Sequence, residues 1–438
     1  MSLSKQDMTE CHGKPLPRVI VGLGYGDEGK GMATCFEVKR LIDGYGLKPF
    51  VVRYNGGPQA AHNVRVKRMG KVLHHTHQQI GSGGLLMAST ILSDGMLVDP
   101  ISIIPEAELL SKEANDPYAI SRITIDTNAP MVLPLHAMVN RALEKRRGTK
   151  RHGSTGRGIG VARACENAWR HDNGIDGEPL TVALLGNQCR LANALAWWNG
   201  WLERRFGIEL GLDAIWYDEQ ATMLNTLYRR MQSLGIRFVD DTTGIVRNLI
   251  DDEYSGVVFE GSQGIMLDER YGWFPNVTYG DMTQANARRI AGADHCLVTQ
   301  GVIRTYSTRH GYGPFPPEGT FDVAEPDNGT GQWQGAFRTG VFDMPTFVKA
   351  CEVVRPDELA ITHMDVTAGR YVSAWKRHEA ITHVGADGSD ISVKVPSEPV
   401  ISEYSDNMAF ADAIARNANA PARVSGYGDT IDDWQRVA

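Results

Sequence analysis

The feature that most constrains this chain is a glycine-rich loop, Gly24-Tyr25-Gly26-Asp27-Glu28-Gly29-Lys30-Gly31, set between an apolar run and a helical pattern. The run is PRVIVGLG, and helical spacing continues through residues 32–41. A loop of this composition aims successive backbone N–H groups at one point, and the helix start adds its dipole, which makes a seat for phosphate. The spacing is GxxxxGK, yet Gly31 follows Lys30 where nucleotide-binding loops carry Ser or Thr. The hydroxyl that ligates Mg²⁺ is therefore missing, and Asp27 or Glu28 is the hard oxygen available in its place. The plainer reading is a glycine-rich turn with solvated charges; the flanking strand and helix favour phosphate.

The rest of the chain fits an α/β fold. KPFVVRYNGG reads as a second strand, and TVALLG, IRFVD, GVVFEG, HCLVTQGVI and ELAITHMD as further short strands. Helical stretches at 134–147, 189–206, 217–234 and 343–353 lie between them. The expectation is a mostly parallel central sheet with flanking helices, like a P-loop NTPase. Segments 371–377 and 380–395 add a small antiparallel appendage around GADGSD. Residues 1–15 read as a flexible extension and 16–438 as one domain, since no composition shift divides them. The polar stretch 323–335 is long enough without structure to be a functional loop.

Charge excludes some classes. Lys+Arg number 45 against 52 Asp+Glu, a net −7 that argues against a nucleic-acid coat. No apolar run approaches the ~18 residues of a membrane span, and the polar N-terminus lacks a signal-peptide core. The six cysteines are dispersed without a CxxC pair, as in a reduced, cytoplasmic protein.

Motifs spread over the chain sharpen this reading. VGLGYGDEGKG resembles the opening of adenylosuccinate synthetases, and VVRYNGGPQAAHNV resembles that family's second-strand segment. STGRGIG (154–160), VFEGSQGIMLD (258–268), FPNVT (274–278), YSTRHGYGPFP (306–316), RTGVFD (338–343), THMDV and SGYGDT (425–430) each resemble a family motif, in family order. The resemblance implies a homodimeric, Mg²⁺-dependent C–N ligase using a purine nucleotide, GTP and L-aspartate, with no nucleic-acid or membrane partner. In that chemistry GTP phosphorylates the purine 6-oxygen and the aspartate amine displaces the phosphate. ATP is an alternative donor.

Residue by residue, the resemblance makes Asp27 the base at purine N1, His62 the acid and Lys30 a charge-steadying cation. Asp27 and the Ala61 carbonyl would hold Mg²⁺. Gly26, Glu28, Gly29, Lys30 and Gly31 would cradle the GTP phosphates, with His363, Asp365, Ser425 and Gly426 around its base. The purine monophosphate would meet Asp27, Gln59, Ser154, Thr155, Arg170, Gln263 and Thr278. Arg170 enters as the arginine that crosses to a partner subunit, with Trp169 and Arg163 as neighbouring choices. A helix N-cap at 154–155 is the competing reading of Ser154 and Thr155. Arg338 and Thr339 would bind aspartate.

The departures cluster on one side. Gly335 and Phe337 stand where the family carries arginines for aspartate and the ribose 2′-hydroxyl, and His363 replaces a lysine. Pro58-Gln59 stands for His-Asn. This leaves two alternatives: a paralogue that ligates aspartate to dGMP or another 6-oxopurine nucleotide, and a silent nucleotide-binding homologue. Retention of Asp27 favours a purine without a 2-amino group, hence IMP. Two signals carry less weight. His74, His75 and His77 invite a metal, but no carboxylate or cysteine close in sequence completes a set, so the stretch reads as half-buried strand. The basic run 144–157 leads into the expected phosphate site.

Overall fold

The computed structural model describes residues 10–11, 13–172, 174–323, 325, 328–385 and 389–437. The glycine-rich loop sits where expected. The buried strand Arg18–Gly22 feeds it, and helix α1 (Lys30–Tyr45) leaves it. Val19 and Val21 pack on one face of the sheet and Ile20 on the other, the alternation of a strand buried on both sides.

That strand is central in a ten-stranded sheet. The order is Trp434–Arg436, Ala422–Gly426, Glu358–Thr362, Val298–Arg304, Arg18–Gly22, Ser255–Gly264, Lys48–Arg53, Ser89–Leu92, Ile123–Asp126, Arg237–Val239. Every neighbouring pair is parallel except the last strand of the chain against Ala422–Gly426. The strands flanking Arg18–Gly22 come from residues 255–264 and 298–304, so the chain reverses its winding at the loop. Such a switch point opens a crevice beyond the strand ends.

The expected helices appear as Pro134–Arg147, Gln188–Phe206, Ala214–Ser233 and Met344–Val354. The appendage is a hairpin of Arg370–Val384 and Asp390–Glu403 that joins Tyr306–His310 and Phe337–Asp343 in a four-stranded sheet. Its turn residues 386–388 lie outside the described set, as do 1–9 of the N-terminal extension. Residues 10–11 and 14–15 of that extension pair as a short antiparallel ladder, and Lys14 Nζ donates to the Ile250 and Asp252 carbonyls, so this end of it is docked.

TVALLG is not a strand. Val182–Gly186 is a 3₁₀ turn whose Val182 and Ala183 amides donate to the Ala129 and Thr127 carbonyls. Val182, Leu184 and Leu185 are buried in the helical core with Leu191, Trp198 and Leu224. A short apolar run fits either element, and burial against helices decides it here. Among the described residues no helix is long and apolar enough to cross a membrane.

Candidate active site

Gly26 and Gly29 adopt φ of +113° and +94°, which lets the loop fold back on itself. The Glu28 carboxylate fills that fold. It accepts from the Gly24 and Gly26 amides at 2.9 and 2.7 Å, and Lys30 Nζ donates to it at 2.8 Å and to the Gly26 carbonyl at 2.7 Å. Burial raises the Glu28 carboxyl, but Lys30 and the amides outweigh it and hold the group below its usual range. Glu28 therefore shapes the loop rather than facing a ligand, which corrects its reading as a hard-oxygen ligand. Gly31 has its own reason. A Cβ there would lie 2.6 Å from His62 Cβ, so Ser or Thr is excluded by the close passage of the His62 strand.

Two cavities meet at this loop. One, about 250 Å³, is lined by Gly29, Lys30, Gly31, Arg304, His363, Asp365, Gly428 and Trp434. The other, about 840 Å³, is lined by Gln59, Ser154, Thr155, Gln263, Thr278 and His310. Gly26, Asp27, Ala61, His62 and Asn63 line both. Among the described residues nothing hydrogen-bonds the Asp27 carboxylate. Burial pushes its carboxyl up, Arg304 pulls it down, and Glu28 adds to the rise.

His62 is held from behind. Its Nδ1 donates to Glu260 Oε1 at 2.6 Å, while Nε2 lies 3.3 Å from the Ser262 carbonyl. Glu260 also accepts from the Ser82 amide at 2.9 Å and from the Ser82 hydroxyl. Burial raises Glu260, yet Arg53, His62 and Ser82 together hold it at about 2. Burial lowers the His62 imidazole, and the Glu260 contact offsets this only in part. Glu260, Arg53 and Arg304 escaped the sequence reading. The available signal was a charged side chain inside an otherwise apolar strand.

Several expected residues do line the large cavity. The Gln59 side-chain amide is buried there with both polar atoms unpartnered among the described residues. The Gln263 side chain packs over Gly26, where a Cβ would come within 2.8 Å of its Oε1. Ser154 donates to Asn140 Oδ1 at 3.1 Å. The N-cap of the following helix, Ile159–His171, is Gly158, which sets aside the capping reading of 154–155.

Others are placed elsewhere. Arg338 donates to Glu318 at 2.7 Å and to the Gly313 carbonyl at 2.9 Å, and Thr339 donates to the Phe321 carbonyl. Neither lines either of these two cavities; the strand that carries them pairs with Tyr306–His310, and both side chains bond to neighbouring loop residues. Ser425 and Gly426 are strand residues. Gly426 is covered by the Trp434 ring, and Gly428, Asp429 and Trp434 face the cleft instead. Arg170 lies in the last turn of its helix, donates to Glu166 at 3.0 Å and stacks on Trp169, outside the cleft of its own chain. Arg163 is spent on Glu166 and the Gly56 and Gly95 carbonyls.

The family model for adenylosuccinate synthetase matches residues 19–397. A Prochlorococcus marinus adenylosuccinate synthetase is 33% identical over 363 residues, 80% of this chain and 75% of that one. The fully ligated Plasmodium falciparum adenylosuccinate synthetase superposes with a TM-score of 0.74 at 20% identity, over 96% of this chain and all of that one. A cyanophage S-2L succinoaminodeoxyadenylate synthetase, bound to dGMP and to dATP as energy donor, gives 0.60 at 18% identity, over 96% and 95%. With its loop, its strand order and its sequence in agreement, the chain belongs to the adenylosuccinate synthetase family of ligases.

Proposed function

We propose that the protein phosphorylates the 6-oxygen of IMP with GTP and then joins L-aspartate at C6, releasing GDP and phosphate. The observation that carries this is the position of Asp27 and His62 on the wall common to both cavities. A triphosphate in the smaller cavity and a purine monophosphate in the larger one would meet there.

Asp27, free of hydrogen bonds among the described residues and with its carboxyl raised, suits removal of the purine N1 proton. Loss of that proton makes O6 the nucleophile. His62, carrying a proton on each ring nitrogen beside the ionised Glu260, would donate from Nε2 to the developing charge on the oxygens in transfer. Lys30, anchored within the loop, adds positive charge on the phosphate side. The Asp27 carboxylate and the Ala61 carbonyl, from residues lining the same cavity, would hold Mg²⁺, which would neutralise triphosphate charge when bound. Gln59, Ser154, Thr155, Gln263 and Thr278 would hold the nucleotide, and His363, Asp365, Gly428 and Trp434 the base of the triphosphate. The reading of 16–438 as one domain is supported by a sheet whose strands run from Arg18 to Arg436. A homodimer in the cytoplasm, with Arg170 reaching a partner subunit, completes the proposal.

A second reading, ligation of aspartate to dGMP, is favoured by Gly335 and Phe337 in place of arginines and by the engagement of Arg338 with Glu318. Phosphate release with GTP, Mg²⁺ and aspartate, compared over IMP, dIMP, GMP and dGMP with ATP as second donor, separates the two. Release with IMP supports the first reading and release with dGMP the second. Nucleotide binding without release from any acceptor would overturn both in favour of a silent homologue.

A further inference from the structure

The histidine-rich strand set aside in the sequence reading has a different setting in three dimensions. Lys71–His77 pairs with His62–Arg68, and helix α2 (Ile103–Ala114) packs on it. His75 and His77 share a face with ring centroids 4.5 Å apart, and they are 1% and 0% exposed. Buried imidazoles normally find hydrogen-bond partners. Here both ring nitrogens of His77 and Nε2 of His75 have none among the described residues.

The missing carboxylate comes from α2. Glu106 is buried beside the two rings, and one ligand atom from each of the three residues lies within 4.8 Å of the others. Glu106 Oε1 accepts from the Gln78, Gln79 and Ile80 amides, while Oε2 accepts from Gln79 alone, at 3.0 Å. Two turns on, Glu113 accepts from His75 Nδ1. That contact fixes the tautomer and leaves Nε2 with a free lone pair. A carboxylate behind an imidazole in this way is how metal-bound histidines are oriented.

We propose that His75, His77 and Glu106 form a site for a zinc-class divalent cation, separate from the nucleotide cleft, with Glu113 positioning His75. Two imidazole nitrogens and a carboxylate are a zinc ligand set, with water or the second Glu106 oxygen in the fourth place. Zinc bonds of about 2.0–2.1 Å bring tetrahedral ligand atoms to about 3.3 Å from one another, so the site closes somewhat on binding. Nitrogen ligands favour zinc, copper or cobalt over the Mg²⁺ proposed for the cleft. His77 lies directly opposite His62 in the hairpin, so the cation would pin the strand of the proposed acid to α2. A bridging water is the competing occupant of the same orphaned nitrogens.

The test uses tag-free, full-length protein stripped with chelator, loaded with Zn²⁺ or Co²⁺ and desalted. Elemental analysis should find one zinc per chain, and Co²⁺ should give the visible bands of a tetrahedral nitrogen–oxygen site. Asp27→Asn should load equally, which separates this site from the cleft. His77→Gln and Glu106→Gln should lose the bands, and Glu113→Gln should weaken loading about tenfold. Zinc uptake unchanged in folded His77→Gln overturns the proposal. If both ligand variants fail to fold, the wild-type cobalt spectrum decides: bands displaced by one equivalent of zinc support the site, and no bands at micromolar cobalt overturn it.

Discussion

On the triphosphate side of the cleft, functional side chains sit at the ends of sheet strands and on α1, while the side proposed for the amine donor rests on residues 328–335 and the four-stranded sheet. The first region is closed and mutually bonded: Glu28 with Lys30 and two amides, His62 with Glu260, Glu260 with Ser82. In the second, Glu325 accepts from Arg304 and Tyr306, while Arg338 and Thr339, the residues expected to hold aspartate, have internal partners. Charge positioned by strand ends needs no reorganisation when charge develops on a substrate. A loop can exchange one set of contacts for another, whereas contacts fixed at strand ends cannot.

The largest expected effect breaks the comparison at its firm end. Asp27→Asn should lower turnover by about 10³-fold or more while nucleotide binding measured by calorimetry persists. A variant that keeps its activity would remove the proposed base. His62→Asn should cost about 10²–10³ in kcat, read in the phosphate-release assay. Glu260→Gln should act through His62, lowering kcat about tenfold or more with little change in nucleotide KM. Its effect on acid stability has a defined sign. The Glu260 carboxyl is held at about 2, below its ordinary 4.5, so its contribution is complete above pH 4.5 and fades as pH falls toward 2. Urea titrations across that window should show a smaller loss of stability in Glu260→Gln than in the parent.

Arg304 sharpens the boundary between the regions. It lowers the Asp27 carboxyl, and the base must be ionised to work. Arg304→Gln should therefore move the acid limb of the kcat/KM profile to higher pH, and a limb that stays or moves down would uncouple the two groups. The smallest effect belongs to the amine-donor side: Arg338→Ala should raise the aspartate KM by no more than about threefold, since its bonds to Glu318 and Gly313 are already made. A rise of tenfold or more at unchanged kcat would mean that the loop rearranges to deliver Arg338.

Much of the firm end was legible in the sequence because its information is local. The loop, its strand and its helix are contiguous, and Asp27, His62, Gln263 and Thr278 lie in short motifs. What was not legible depends on distant pairings. Glu260 meets His62 across 198 residues, and nothing in the spacing joins them. Ser425 and Gly426 were placed one strand end too early, since Trp434 covers Gly426 from the neighbouring strand. His75 and His77 lacked a carboxylate in sequence because Glu106 reaches them from α2. The present partners of Arg338 have the same origin: they follow from the pairing of its strand with Tyr306–His310, and register is a tertiary property.

The central claim is that Asp27 makes the purine 6-oxygen attack the triphosphate. IMP carrying ¹⁸O at position 6, turned over with GTP, Mg²⁺ and L-aspartate, tests it in one experiment. The account predicts that the label leaves in inorganic phosphate, one atom per turnover, and that Asp27→Asn abolishes the transfer. Unlabelled phosphate, released while the nucleotide keeps its ¹⁸O, would contradict it.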